Sequence, residues 1–191
     1  MGPVTIGIDL GQKRDPFAIA VVEFEMRGKE DHYLVRFLER LKLGTPYDVA
    51  RDRVSQIFQS LVQQRMPVIS IYVDATGQGT AFTDELHRID VPGRPVYFTH
   101  GDRRTFVDGC VMLGKAWLVS RIKVLLQCRR LHLPKTTEAE AMKDELLDYE
   151  IRISEDANER YGAFKVGSHD DLVTALGLAV QEPPPELRLI C

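Results

Sequence analysis

Residues 4–11 read Val-Thr-Ile-Gly-Ile-Asp-Leu-Gly. A short apolar run that ends in a carboxylate and then a glycine predicts a buried central strand with an acid at its carboxyl end. The next segments extend this outward. Gln12 to Pro16 is a polar turn, Phe17 to Glu25 a second strand, Arg27-Gly28-Lys29 a turn, and Tyr33 to Leu41 a third, more polar strand. Three consecutive strands joined by short turns predict an antiparallel meander.

Helical periodicity then begins. Ala50, Val54, Ile57, Phe58 and Leu61 recur on one face of Tyr47 to Arg65, and Pro67 ends that helix. Val68 to Val73 repeats the opening pattern, a short apolar strand closed by a carboxylate, here Asp74. Gly77 and Gly79 make the following turn. Thr80 to Arg88 reads as a short helix, Arg94 to Thr99 as a strand, and Val111 to Gln127 as one long helix. Leu131 to Leu133 is a brief extended piece. Thr137 to Leu147 opens with acids in its first turn, as helices do. Tyr149 to Ser154 and Ala163 to Val166 form an expected hairpin with Gly162 in its loop. Ser168 to Val180 is the last helix, burying Leu172, Leu176, Ala179 and Val180, and the Pro-rich 182–191 segment leaves as an extended tail. The expectation is one α/β domain over residues 1–191, with a mixed sheet, helices on both faces, and a helix-plus-hairpin insertion at about 137–167.

Composition narrows the function classes. Hydrophobic residues make up 44% and charged residues 28% of 191, which suits a folded core and excludes a disordered chain. No apolar run reaches the roughly 20 residues that span a bilayer. Cys110, Cys128 and Cys191 are an odd set without metal-ligand spacing, as expected of reduced thiols in a cytosolic protein. The net charge of −3 means that any polyanion site must be a local basic patch. One exists. Arg103, Arg104, Lys115, Arg121, Lys123, Arg129, Arg130 and Lys135 face only Asp108 in that stretch, so it carries +7. These bases, with Lys13 and Arg14 beside Asp9, are candidate phosphate contacts. No base-reading element accompanies them.

The acids carry the chemistry. In open α/β sheets a site lies beyond the carboxyl ends of the strands. Asp9 and Asp74 both occupy such ends, and Asp170-Asp171 opens the last helix. Two carboxylates about 4 Å apart repel by roughly 4 kcal/mol at an effective dielectric near 20. Three or four in one site therefore require protonation or a cation. An all-oxygen ligand set favours Mg²⁺ or Mn²⁺, and a pair of such ions can activate water and stabilise the leaving oxygen of a phosphodiester. Asp170 and Asp171 project about 100° apart on a helix. Asp171 is the favoured main ligand, with Asp170 behind it or on a second ion. His169 is an auxiliary candidate, and Asp15 reads as a turn residue.

Three segments in order resemble the nuclease domain of the large terminase subunit of tailed bacteriophages. They are Gly7-Ile-Asp-Leu-Gly11 with Asp15-Pro-Phe-Ala-Ile19, Tyr72-Val-Asp-Ala-Thr-Gly-Gln-Gly79, and His169-Asp-Asp-Leu-Val-Thr-Ala175. The resemblance implies an RNase H-like fold and a two-metal endonuclease that cuts concatemeric double-stranded DNA. By position, Asp9, Asp74, Asp170 and Asp171 match the acidic metal-binding cluster. It further implies a hairpin near the site, a packaging ATPase domain, portal and small terminase subunit as partners, and the host cytoplasm as the place of work. The chain has no GxxxxGK[ST] phosphate loop, so no nucleotide is expected here and translocation is not assigned to it. An excised domain and a stand-alone relative both fit. Residues 7–11 also resemble the first phosphate loop of sugar kinases, actin and heat-shock chaperones, which need two such lobes. A Holliday-junction resolvase would keep the acids and change the substrate, and a non-catalytic relative would keep only the fold.

Overall fold

A computed structural model describes residues 2–11, 15–108, 110–148, 150–153, 159–162 and 170–182. The opening run is β1 (Val4–Asp9), followed by β2 (Ala18–Arg27) and β3 (Glu30–Arg40). Both pairings are antiparallel, giving the expected meander. Then come α1 (Tyr47–Gln63), β4 (Val68–Asp74), α2 (Gly79–Arg88) and β5 (Gly93–Thr99). β6 (Arg104–Val107), β7 (Cys110–Gly114), α3 (Lys115–Gln127), β8 (Leu131–His132) and α4 (Thr137–Asp148) follow. β9 (Glu150–Ile153), β10 (Glu159–Gly162) and α5 (Asp171–Val180) complete the described elements.

The main sheet has eight strands in the order β6-β7-β5-β4-β1-β2-β3-β8. β4, β5 and β7 run parallel to β1, so their carboxyl ends share one edge. Period-two alternation sends successive side chains to opposite faces. Val4, Ile6 and Ile8 of β1 and Ile71 and Val73 of β4 join Ala50, Val54 and Leu61 of α1 and Phe82 and Leu86 of α2. On the other face, Ala20, Val22 and Phe24 of β2 and Tyr72 of β4 pack with Leu118 and Ile122 of α3, Met142 of α4 and Leu172 and Leu176 of α5. This is the mixed sheet with helices on both faces that the sequence predicts.

Three expectations need correction. Val111 to Gln127 is not one helix: Cys110–Gly114 is β7, and α3 starts at Lys115. Cys110 to Leu113 is apolar throughout although only Val111 and Leu113 are fully buried, and periodicity cannot separate such a run from a helix. Gly162 belongs to β10 and not to the hairpin loop, because the return strand is Glu159–Gly162. The strand expected at 163–166 lies outside the described residues. Helix α5 starts at Asp171, and all of Asp171–Val180 is buried instead of one face. It is packed from below by β1 and β2 and from the sides by α3 and α4. The strand β6 is an additional finding. At four residues, Arg-Thr-Phe-Val, it is too short and too exposed to carry a periodic signal.

Candidate active site

The site follows from the packing of α5 on β1. Thr5, Gly7 and Asp9 alternate onto the α5 face of the sheet. Thr5 donates its hydroxyl to the carbonyl of Ala179 at 2.8 Å. A Cβ on Gly7 would lie 2.0 Å from the carbonyl oxygen of Ala175. Four residues of helix rise about 6 Å, and two residues of strand advance about 6.6 Å. Residues 179, 175 and 171 therefore step along 5, 7 and 9, and the start of α5 arrives over Asp9. Glycine at position 7 is what permits this approach.

Asp74 comes to the same place from β4. It shares the α5-facing side with Tyr72, and β4 lies parallel beside β1 with Val73 opposite Ile8. The Thr76 amide donates to Asp74 Oδ1 at 2.8 Å, which holds the carboxylate at the strand end. A Cβ on Gly79 would meet the Asp74 carbonyl oxygen at 1.9 Å, so this turn too requires glycine. A fourth group enters from the carboxyl end of β7. Lys115, the first residue of α3, places Nζ 3.3 Å from Asp170 Oδ2 and 5.4 Å from the centre of the Phe98 ring.

Electrostatics shows that these groups act as one cluster. Asp9 titrates well above the ordinary carboxylate range, first because of burial and then because of Asp74, Asp170 and Asp171, with Lys115 opposing. Part of its surface is open, yet the surrounding protein dominates its titration. Asp74 is also raised by burial, against the hydrogen bonds of Thr76. Burial alone would lower Lys115, but Asp170, Asp9 and Asp74 outweigh it and the ammonium is held charged. Among the described residues, no three His, Cys, Asp or Glu groups are gathered closely enough to hold a metal ion as they stand. The acids are coupled through charge, with Lys115 as their internal counter-ion.

The Asp170-Asp171 pair is divided between two cations. Asp170 faces Lys115. Asp171 is 2% exposed in its side chain, and its Oδ2 lies 3.6 Å from Arg40 Nε. Burial, partly offset by Arg40, pushes Asp171 up to about 7. Arg40 closes β3 in register with Ala18, which is itself opposite Asp9, so it stands on the same sheet edge. Arg40 also pairs with the buried Glu145 of α4. Neither Arg40 nor Glu145 stands out in the sequence. Strand register from Asp9 would have found Arg40, whereas Glu145 is one of several acids on an acidic helix. His169, Lys13 and Arg14 lie outside the described residues. Asp15 is exposed and contributes to the field at Asp171.

The basic stretch does not form one face. Arg104 bonds Gln181 and pairs with Glu182. Arg121 donates to Tyr33 Oη at 2.6 Å and to the Val180 carbonyl at 3.2 Å. Arg130 donates to the Asp31 carbonyl at 2.6 Å and contacts its carboxylate at 3.2 Å. Arg103 and Arg129 are exposed, and Lys123 is half-buried. Leu131, next to Arg130, pairs with Tyr33, seven residues along β3 from Arg40. That separates Arg129 and Arg130 from the acidic edge by roughly 20 Å.

No protein-family model matches the chain, and no curated protein is significantly similar in sequence. Solved structures are similar in fold. The large terminase nuclease from thermophilic phage G20c is 21% identical, with a TM-score of 0.66, covering 94% of this chain and 82% of that one. The same nuclease with bound cobalt gives 20%, a TM-score of 0.69, and coverage of 94% and 81%. The g2p large terminase nuclease domain of bacteriophage SPP1, with bound Mn, is 12% identical with a TM-score of 0.56, covering 94% and 85%. The chain thus has the RNase H-like fold of the terminase nucleases along nearly its whole length.

Proposed function

We propose that this chain is a divalent-metal-dependent DNA endonuclease of the large-terminase kind, cutting concatemeric double-stranded DNA with little sequence preference. One observation carries the reading. The adjacent parallel ends of β1 and β4 and the start of α5 bring Asp9, Asp74 and Asp171 to one sheet edge, in a fold shared with nucleases solved with cobalt or Mn bound. Asp9, Asp74, Asp170 and Asp171 would hold Mg²⁺ or Mn²⁺, and His169 is an auxiliary candidate. The donor set fits in chemistry, since it is all oxygen. Bound metal supplies Lewis-acid activation of water and stabilisation of the leaving oxygen, through two ions in this reading.

The protein's own groups prepare the centre. Asp9 and Asp74 are fixed by strand ends, so their carboxylates need little reorganisation. The Thr76 amide orients Asp74. The Lys115 ammonium, paired with Asp170, stands at the acidic edge where it would meet a DNA phosphate. Of the other basic residues read as DNA contacts, Lys13, Arg14, Arg103 and Lys123 are kept as such, with Arg103 the exposed one among those described, whereas Arg104, Arg121 and Arg130 are engaged inside the fold and Arg129 lies with Arg130 away from the acidic edge. By the same reading, a packaging ATPase domain, portal and small terminase subunit are partners, and the host cytoplasm is the compartment. No described helix is long and apolar enough to cross a membrane.

The test is cleavage of supercoiled plasmid with Mg²⁺ or Mn²⁺. Nicked and linear products are expected with either metal and none with chelator, and Asp9→Asn should lower the rate by at least about 100-fold. Absence of cleavage with both metals across protein concentrations would falsify the proposal. A marked preference for four-way junctions would move the substrate to that of a resolvase.

A further inference from the structure

Helix α5 opens with an aspartate at its N-cap, yet Asp170 makes no side-chain cap bond to its own helix. An N-cap Asp ordinarily accepts the amides two and three residues on, which are otherwise left without intrahelical partners. Here those are the amides of Leu172 and Val173. Both donate to Glu145 Oε2 at 3.0 Å, from a residue 27 and 28 positions earlier in the chain. Glu145 is buried and reaches this position from α4. Its other oxygen pairs with Arg40, whose Nε lies 3.6 Å from Asp171 Oδ2. Meanwhile Asp170 points its Oδ2 to Lys115 Nζ at 3.3 Å, away from its own helix amides.

We infer that Glu145 is a positioning residue that caps α5 in place of Asp170 and so keeps the Asp170 carboxylate turned toward Lys115 at the acidic edge of the sheet. The metal-binding consequence rests on the nuclease reading; the capping itself does not. One carboxylate at a helix N-terminus satisfies the exposed amides and the positive end of the dipole. A second is then superfluous as a cap and is available to the cluster. Remove Glu145, and the two amides become the best local partners for Asp170. Its side chain would swing back over its own helix and leave the cluster. Helix α4, which sequence reading treats as an insertion, thereby becomes part of the centre.

A double-mutant cycle of E145A and D170A, melted without metal, tests this. With Glu145 in place, D170A should leave the melting temperature unchanged or higher. In the E145A background, where Asp170 has become the cap, D170A should lower it by about 2–4 °C. An equal D170A shift in both backgrounds overturns the inference. If E145A does not fold, E145Q replaces it in the same cycle. Glutamine keeps an acceptor but not the charge, so the same sign with a smaller coupling is expected, and additivity again overturns it. By calorimetry, E145A should also weaken Mn²⁺ binding roughly 10–100-fold, as loss of a group supporting the ligands does. Unchanged Mn²⁺ affinity would count against the swing of Asp170. A wild-type protein that neither binds Mn²⁺ nor cleaves would sink the nuclease reading, while the metal-free cycle would still decide the capping.

Discussion

Asp9 is costly to the metal-free protein. Burial and three neighbouring acids raise its folded-state pKa well above the ordinary value. The sign is opposite to that of a salt-bridged carboxylate. Over the window between the unfolded and folded pKa values the folded state binds the extra proton, so stability falls as pH rises. Asp171, raised to about 7 mainly by burial, adds to the same trend between roughly pH 4 and 7. Metal-free protein should therefore be less stable at pH 8 than at pH 5.5, as chemical denaturation in chelator would read. Asp9→Asn removes this penalty and should stabilise the metal-free protein at pH 8 by roughly 0.5–2 kcal/mol while abolishing cleavage. Adding Mn²⁺ should reverse the order, because only the wild type gains about 2.7 kcal/mol at a hundred times its Kd. An Asp9→Asn protein less stable than wild type in chelator would contradict the coupling of Asp9 to the other acids. The strand-end positions of Asp9 and Asp74 were legible because each closes a short apolar run; an Asp there is often a turn residue when taken singly, and only the set of acids pointed to a site. The split of Asp170 from Asp171 was not legible. It depends on Arg40 and Glu145, which are distant in sequence.

At the scale of elements, β1 and α5 form the working unit. Their contact is made by Thr5 and Gly7 against Ala179 and Ala175, and the same axis carries Asp9 and Asp171 together. Gly7→Ala would put a methyl group 2.0 Å from a backbone carbonyl, and a carbonyl cannot rotate away as a side chain can. The helix would have to lift. An overpacking cost of roughly 1–3 kcal/mol is expected, with a fall in cleavage exceeding that of an equally destabilising substitution in α1. A Gly7→Ala protein with unchanged melting and rate would show that α5 does not rest on this point. The meander, α1, β4 and α2 were readable because each shows a clean period of two or 3.6. The failures occurred where apolar residues filled both faces of an element, whether or not both faces were buried. Val111 and Leu113 of β7 are fully covered between β5 and β6 and merged with α3 in the reading. The whole of α5 is buried, so its expected single apolar face underestimates its packing.

Across the whole molecule, the distribution of charge in space differs from its distribution in sequence. The +7 stretch suggested a continuous DNA face, but the fold separates its members. Arg121 lies against Tyr33, with its guanidinium 5.4 Å from the ring centre, and bonds the last carbonyl of α5. Arg130 ties β8 to the start of β3, far from the acidic edge. Arg103, in contrast, is exposed beside the strand that precedes β7, whose carboxyl end delivers Lys115 to the acids. These differences should separate in salt. A residue that neutralises one phosphate contributes about 0.9 to the slope of log affinity against log salt concentration, whereas a structural arginine contributes nothing to it. Arg103→Ala should weaken binding of a non-cognate duplex, lower the slope by about 1, and leave the melting temperature within about 2 °C of wild type. Arg121→Ala should lower the melting temperature by losing its bonds to Tyr33 and Val180, with the slope unchanged. Titrations in Ca²⁺, a hard cation that can occupy an oxygen-ligand site, at several salt concentrations would read both quantities on one sample. A reduced slope in Arg121→Ala would mean that this guanidinium leaves Tyr33 to meet DNA, and would extend the interface along α3 toward the far edge of the sheet.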